Sequence, residues 1–88
     1  MVSKMVEIVN EKGLHTRQGN EFVTLAQNFS SKIQLEDENG RKVDGLSLLK
    51  ILSLGIRKGM KVMIHADGED EKEAVMELEE LLKNMKDL

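Results

Sequence analysis

Eighty-eight residues, 40% hydrophobic and 33% charged, suffice for one domain with a thin core and are too apolar for a disordered chain. The absence of cysteine excludes disulfide frameworks and Cys-based zinc sites, and no apolar run approaches the roughly 20 residues of a membrane helix. The formal net charge of −3 is uneven: residues 66–88 hold nine acids and three lysines, and residues 1–65 hold seven acids and ten Lys or Arg.

In chain order, Val6 and Ile8 alternate with Glu7 and predict a first strand near residues 2–9, broken by Asn10-Glu11-Lys12-Gly13. Phe22, Leu25, Ala26 and Phe29 follow helical spacing, so residues 16–28 read as an amphipathic helix. Ile33 and Leu35, between polar neighbours, give a second strand. Asn39-Gly40 has the composition of a two-residue type I′ hairpin turn, with Arg41-Lys42-Val43 as the return strand. Residues 47–54 form a short apolar helix with Ser47 at its N-cap and Gly55 closing it. Residues 60–66 are a fourth strand. A last helix opens at Asp70, where Glu73 has capping-box spacing, and its apolar face is Ala74, Leu78, Leu81 and Met85. The order β-α-β-β-α-β-α predicts an α+β fold in one domain, residues 1–88, with helices on one face of a small antiparallel or mixed sheet.

Chemistry has few bearers here. The only histidines are His15 and His65. His65 lies on a strand face beside Lys61 and Met63 and reads as a surface residue. His15 follows Gly13-Leu14 and stands just before the first helix, with Arg17 two residues on. A helix start presents unpaired N–H groups and a partial positive charge, which stabilise an anion such as a phosphoryl group. Arg17 adds donors suited to phosphate oxygens, and imidazole is a nucleophile near neutral pH. An ordinary exposed loop histidine is the plainer reading of the same spacing. The positive balance of residues 1–65 would tolerate the anion, whereas the acidic end argues against nucleic acid over the whole surface. Phe22 and Phe29, the only aromatics, face inward, which removes a base-stacking platform. No P-loop, dinucleotide fingerprint, HExxH or EF-hand spacing occurs, so neither metal nor cofactor is expected. Leu48, Leu49 and Leu52 cannot all face inward on a short helix, and some apolar surface is left for a partner.

Gly13-Leu14-His15-Thr16-Arg17 resembles the phosphorylation-site motif of HPr, the histidine-containing phosphocarrier of the bacterial phosphoenolpyruvate:sugar phosphotransferase system. The stretch from Ser47 to Ile56 is similar to the family's serine-site helix, and Ala66-Asp67-Gly68-Glu69-Asp70-Glu71 to its entry into the last helix. The resemblance implies an HPr-like open-faced sandwich, a four-stranded antiparallel sheet covered by three helices. It implies a phosphoryl carrier rather than an enzyme, with His15 accepting through Nδ1 and Arg17 stabilising the group. The donor would be phosphorylated enzyme I and the recipients enzyme II A proteins, docked by Leu48, Leu49 and Leu52, with Thr16 and Gln18 at the same face. The usual motif reads Gly-Leu/Ile-His-Ala-Arg-Pro-Ala; here Thr16, Gln18 and Gly19 replace Ala, Pro and Ala.

Ser47 matches the serine phosphorylated by a regulatory kinase in many Gram-positive members, while Lys50 stands where those members often have Gly and resembles the enteric type. An alternative is therefore a regulatory relative, acting through Ser47 phosphorylation and binding to a transcription regulator. A small RNA-binding module has only the positive balance of residues 1–65 behind it. Met1-Val2-Ser3-Lys4-Met5 lacks the apolar core of a secretory signal, so a cytoplasmic protein is expected, and a small apolar surface suits a monomer.

Overall fold

A computed structural model describes residues 1–87. Its elements are β1 (Val2–Glu7), α1 (Thr16–Ala26), β2 (Lys32–Glu36), β3 (Lys42–Asp44), α2 (Leu48–Ser53), β4 (Lys61–Asp67) and α3 (Glu71–Lys83). The four strands form one antiparallel sheet in the order β1-β4-β2-β3. The period-2 pattern sends Val6, Ile33, Leu35, Val43, Val62, Ile64 and Ala66 to one face, where all are buried. The helices cover that face. Phe22, Ile51, Leu78 and Leu82 fill the space between the layers and are fully buried. Ser3, Met5, Gln34, Glu36, Met63 and His65 occupy the uncovered face. This is the α+β architecture the alternation predicts, with the sheet wholly antiparallel.

Three local expectations need correction. Helix α1 stops at Ala26, before the expected residue 28, because its last turn tightens: Asn28 and Phe29 donate to the carbonyls three residues back, Leu25 and Ala26 (3.0 and 3.3 Å). The β2–β3 connection is not a type I′ turn. Only Gly40 has positive φ (82°), and no non-glycine residue does, so Asn39 lacks the conformation that turn needs. The reason is Asp37, whose carboxylate accepts from the amides of Asn39 and Arg41 (3.0 and 2.9 Å) and winds a longer loop around itself.

The third correction concerns Asp70. It is the N-cap residue of α3, but its side chain caps nothing within that helix. The carboxylate instead accepts from the amides of Ser30 and Ser31 (2.8 and 2.9 Å) and from the Ser31 hydroxyl. Glu71 takes the turn's own amide, that of Gly68, at 3.1 Å. Asp70 thus ties the loop between α1 and β2 to the start of α3. Ser31 and then Ser30 hold its carboxyl below the usual carboxylate range, by hydrogen bonds that favour the ionised form.

A lowered folded-state pKa means that the unfolded chain binds the proton more readily, so stability is lost as pH falls. The contribution of Asp70 is complete above the ordinary carboxylate pKa, about 3.9, and disappears as pH drops through the lower folded value. Asp70→Asn is expected to be less stable than wild type at pH 7. The gap should narrow toward pH 3, as read by urea unfolding at a series of pH values.

Candidate functional site

The His15 site is made where two loops meet. Gly13, at φ 62°, closes a turn whose amide donates to Asn10 O (3.2 Å), and the Asn10 side-chain amide returns a bond to Gly13 O (2.8 Å). Leu14 is buried, and its N–H donates to Ile56 O (3.1 Å) in the connection between α2 and β4. With Leu14 anchored inward, the next side chain is thrown outward, and His15 is exposed. The same two loops are joined by Gly59 N–H to Ile8 O and Ile8 N–H to Met60 O (both 2.8 Å), and by an ion pair between Lys58 and Glu11 (2.7 Å). The hydrogen bond from Glu11 raises the Lys58 ammonium above its usual range.

His15 is the N-cap residue of α1, yet its side chain makes no capping hydrogen bond. The first intrahelical bond runs from Gly19 N–H to His15 O (2.7 Å), so the amides of Thr16, Arg17 and Gln18 have no carbonyl partner inside the helix. A Ser or Asp at this position would have used its oxygen on those donors. A shallow cavity of about 320 Å³ lies beside the ring, bounded also by Lys12, Leu14, Leu52, Ile56 and Arg57. Among the described residues its walls carry positive polarity and no carboxylate, and the arrangement suits a doubly charged oxyanion attached to the imidazole.

Thr16 and Arg17 are exposed beside the histidine. Leu49 is 81% exposed, and Leu48 and Leu52 are half-buried, so α2 does leave apolar surface next to the site. Ser47 is half-buried at the N-cap of α2, its hydroxyl accepting from Lys50 N–H (3.4 Å). His65 is not a free surface residue. On the uncovered face it bridges three strands, Nδ1 to Ser3 Oγ (2.6 Å) and Nε2 to Glu36 Oε1 (2.7 Å). Among the described residues no cluster of His, Cys, Asp or Glu could hold a metal ion, and no helix is long and apolar enough to cross a membrane.

Residues 2–84 match the model of the family described as the PTS HPr component phosphorylation site. The chain belongs to the HPr family. It is 40% identical over 87 residues to the phosphocarrier protein HPr of Borreliella burgdorferi, covering 99% of this chain and 100% of that one. It is 41% identical over 85 residues to the HPr of Haemophilus influenzae, covering 97% and 99%. The crystal structure of HPr-C-His from Thermoanaerobacter tengcongensis superposes with a TM-score of 0.89 at 41% identity, over 94% of this chain and 92% of the other. Phosphocarrier proteins of the phosphotransferase system are thus its relatives over nearly the full length.

Two of the three departures from the usual family motif, Gln18 and Gly19, have structural reasons. Gln18, expected at the partner face, is buried instead, 2% exposed, and its side-chain amide donates to Asp87 Oδ1 (2.9 Å). Asp87 also accepts from the Asn10 side chain (3.0 Å) and from Lys12 N–H (3.0 Å), and these bonds, the one from Asn10 foremost, depress its carboxyl pKa. Gln18 therefore fastens the C-terminal segment beneath the His15 loop. Gly19 lets α2 approach, since a Cβ there would lie 2.9 Å from Leu48 Cδ1. Spacing arguments miss Asn10, Asp87, Lys12 and Arg57, because Asn10 with Asp87, and Lys12 with Arg57, come to one place only across long sequence separations.

A Cβ at Gly13 would sit 2.4 Å from Ile56 O and 2.7 Å from Arg57 Cα, on a backbone at positive φ. Gly13→Ala is expected to lose about 1–3 kcal/mol from the conformation alone and more from the contact. Urea unfolding measures the loss, and weakened protection of the Leu14 amide in hydrogen exchange locates it in this seam.

Proposed function

We propose that this chain is a cytoplasmic phosphoryl carrier, accepting the group on His15 from phosphorylated enzyme I and passing it to enzyme II A proteins in sugar uptake. The observation that carries the reading is an exposed histidine at a helix N-cap whose ring caps nothing. The nucleophile is exposed at the helix start, beside amides that have no carbonyl partner inside the helix. The imidazole lone pair, expected at Nδ1, forms the N–P bond as the donor's bond to phosphorus breaks, and the ring gives up its proton. Arg17 and the first amides of α1 stabilise the charge on the transferring oxygens. The shallow site suits a carrier, since the phosphoryl group must be reached by two different proteins in turn. Leu48, Leu49 and Leu52 supply the apolar docking face, and Thr16 borders it.

Incubation with enzyme I and phosphoenolpyruvate should give an acid-labile adduct that is absent from His15→Ala. Arg17→Ala should slow its formation by about tenfold or more, the scale of roughly 1.4 kcal/mol of transition-state stabilisation. An adduct that survives His15→Ala refutes the assignment.

Ser47 supports a second, regulatory reading. A phosphate there would place close to two negative charges beside the docking leucines, created by a serine kinase and read by a transcription regulator. Ser47→Asp should then slow charging by enzyme I while leaving chemical phosphorylation of His15 by a small-molecule donor unchanged.

A further inference from the structure

We propose that Arg57, assisted by Lys12, is a second cationic holder of the phosphoryl group on His15, supplied from the connection between α2 and β4 rather than from α1. The inference rests on the carrier reading above and adds the residues that set how the charged group is held.

The cavity beside the His15 ring is bounded by Lys12 on one loop and Arg57 on the other. The two loops are fastened at the point of contact by Leu14 N–H to Ile56 O, and Arg57 itself is placed by its N–H donating to Met60 Sδ (3.3 Å). Among the described residues, the acids nearest in sequence or by contact, Glu11 and Asp87, are committed elsewhere. Glu11 pairs with Lys58 at 2.7 Å. Asp87 accepts from Asn10, Gln18 and the Lys12 backbone amide. Among the described residues neither the Lys12 ammonium nor the Arg57 guanidinium has an ion-pair partner. Two uncompensated cations therefore flank one nucleophilic ring, an arrangement that repels itself until a multiply charged anion arrives. The ligand class is a phosphoryl dianion bonded to the ring. The planar guanidinium offers paired donors to its oxygens, and the Lys12 ammonium adds a point charge.

Potassium phosphoramidate is the probe, because it charges histidine without any protein partner. The N–P bond of the reagent breaks as a bond to the His15 ring forms, and ammonia leaves with the proton the ring gives up. Phosphorus NMR of the adduct then follows the second ionisation of the phosphoryl group against pH. Nearby cations favour the dianion, so its pKa is expected to rise in Arg57→Gln by about 0.3–1 pH unit, less than the 1–3 units typical of close ion pairs because the site is open to solvent. Lys12→Gln should give a smaller rise, Arg57→Lys should restore most of the wild-type value, and 1 M salt should erase most of the difference. If wild type forms no phosphohistidine at His15, the carrier reading fails. If the adduct forms and Arg57→Gln titrates like wild type, the carrier reading stands and this proposal is overturned. A slowed transfer from enzyme I with an unmoved phosphoryl pKa would likewise overturn it, by assigning Arg57 to partner docking.

Discussion

The hydrogen bond from Leu14 N–H to Ile56 O, with Gly13 pressed against the same segment, is the contact on which the functional end of the molecule depends. It joins two loops that are more than forty positions apart in sequence. Burial of Leu14 supplies the driving force, and the left-handed turn at Gly13 supplies the direction. The consequence reaches the chemistry directly, for the residue after an anchored leucine must project outward, and that residue is His15. Helix α1 begins there, so the ring emerges where the peptide dipoles are least satisfied.

The two histidines show how environment divides one residue type into two roles. Both nitrogens of His65 are engaged, by a hydroxyl on β1 and a carboxylate on β2, and the ring works as a clasp across the sheet. The ring of His15 makes no capping bond and borders a shallow, cationic cavity. The proposed carrier role gains from such exposure, because two partners in turn would have to reach the ring, whereas enclosure would exclude them together with water. Stability is kept on the other side of this division. The core of Phe22, Ile51, Leu78 and Leu82 lies between the sheet and the helices, away from the exposed leucine of α2.

Much of this was legible in the chain. Strict alternation placed Ile33, Leu35, Val62 and Ile64 on one face, since a strand's side chains have only two directions to take. Helical spacing located Phe22 and Ala26, and the crowding of Leu48, Leu49 and Leu52 on a short helix foretold exposed apolar surface. The motif around His15 and Arg17 carried the family. Signals that failed were those in which a side chain had a choice of partner. Asp70 has capping-box spacing but bonds to Ser30 and Ser31, and Asp37 overrides the Asn39-Gly40 turn signal. Gln18 sits on a helix start that reads as surface, yet the C-terminal segment folds over it.

By itself the sequence determined the order of elements, the inward faces and the presence of a nucleophile before a helix, because backbone periodicity and local propensity act over a few residues. Only the tertiary structure decided which charges surround that nucleophile. Arg57 and Lys12 reach its cavity, Glu11 is withdrawn by Lys58, and Asp87 is withdrawn by Asn10 and Gln18. Electrostatic neighbours are set by distance in space, and chain closure brings together residues whose separation along the sequence carries no such information.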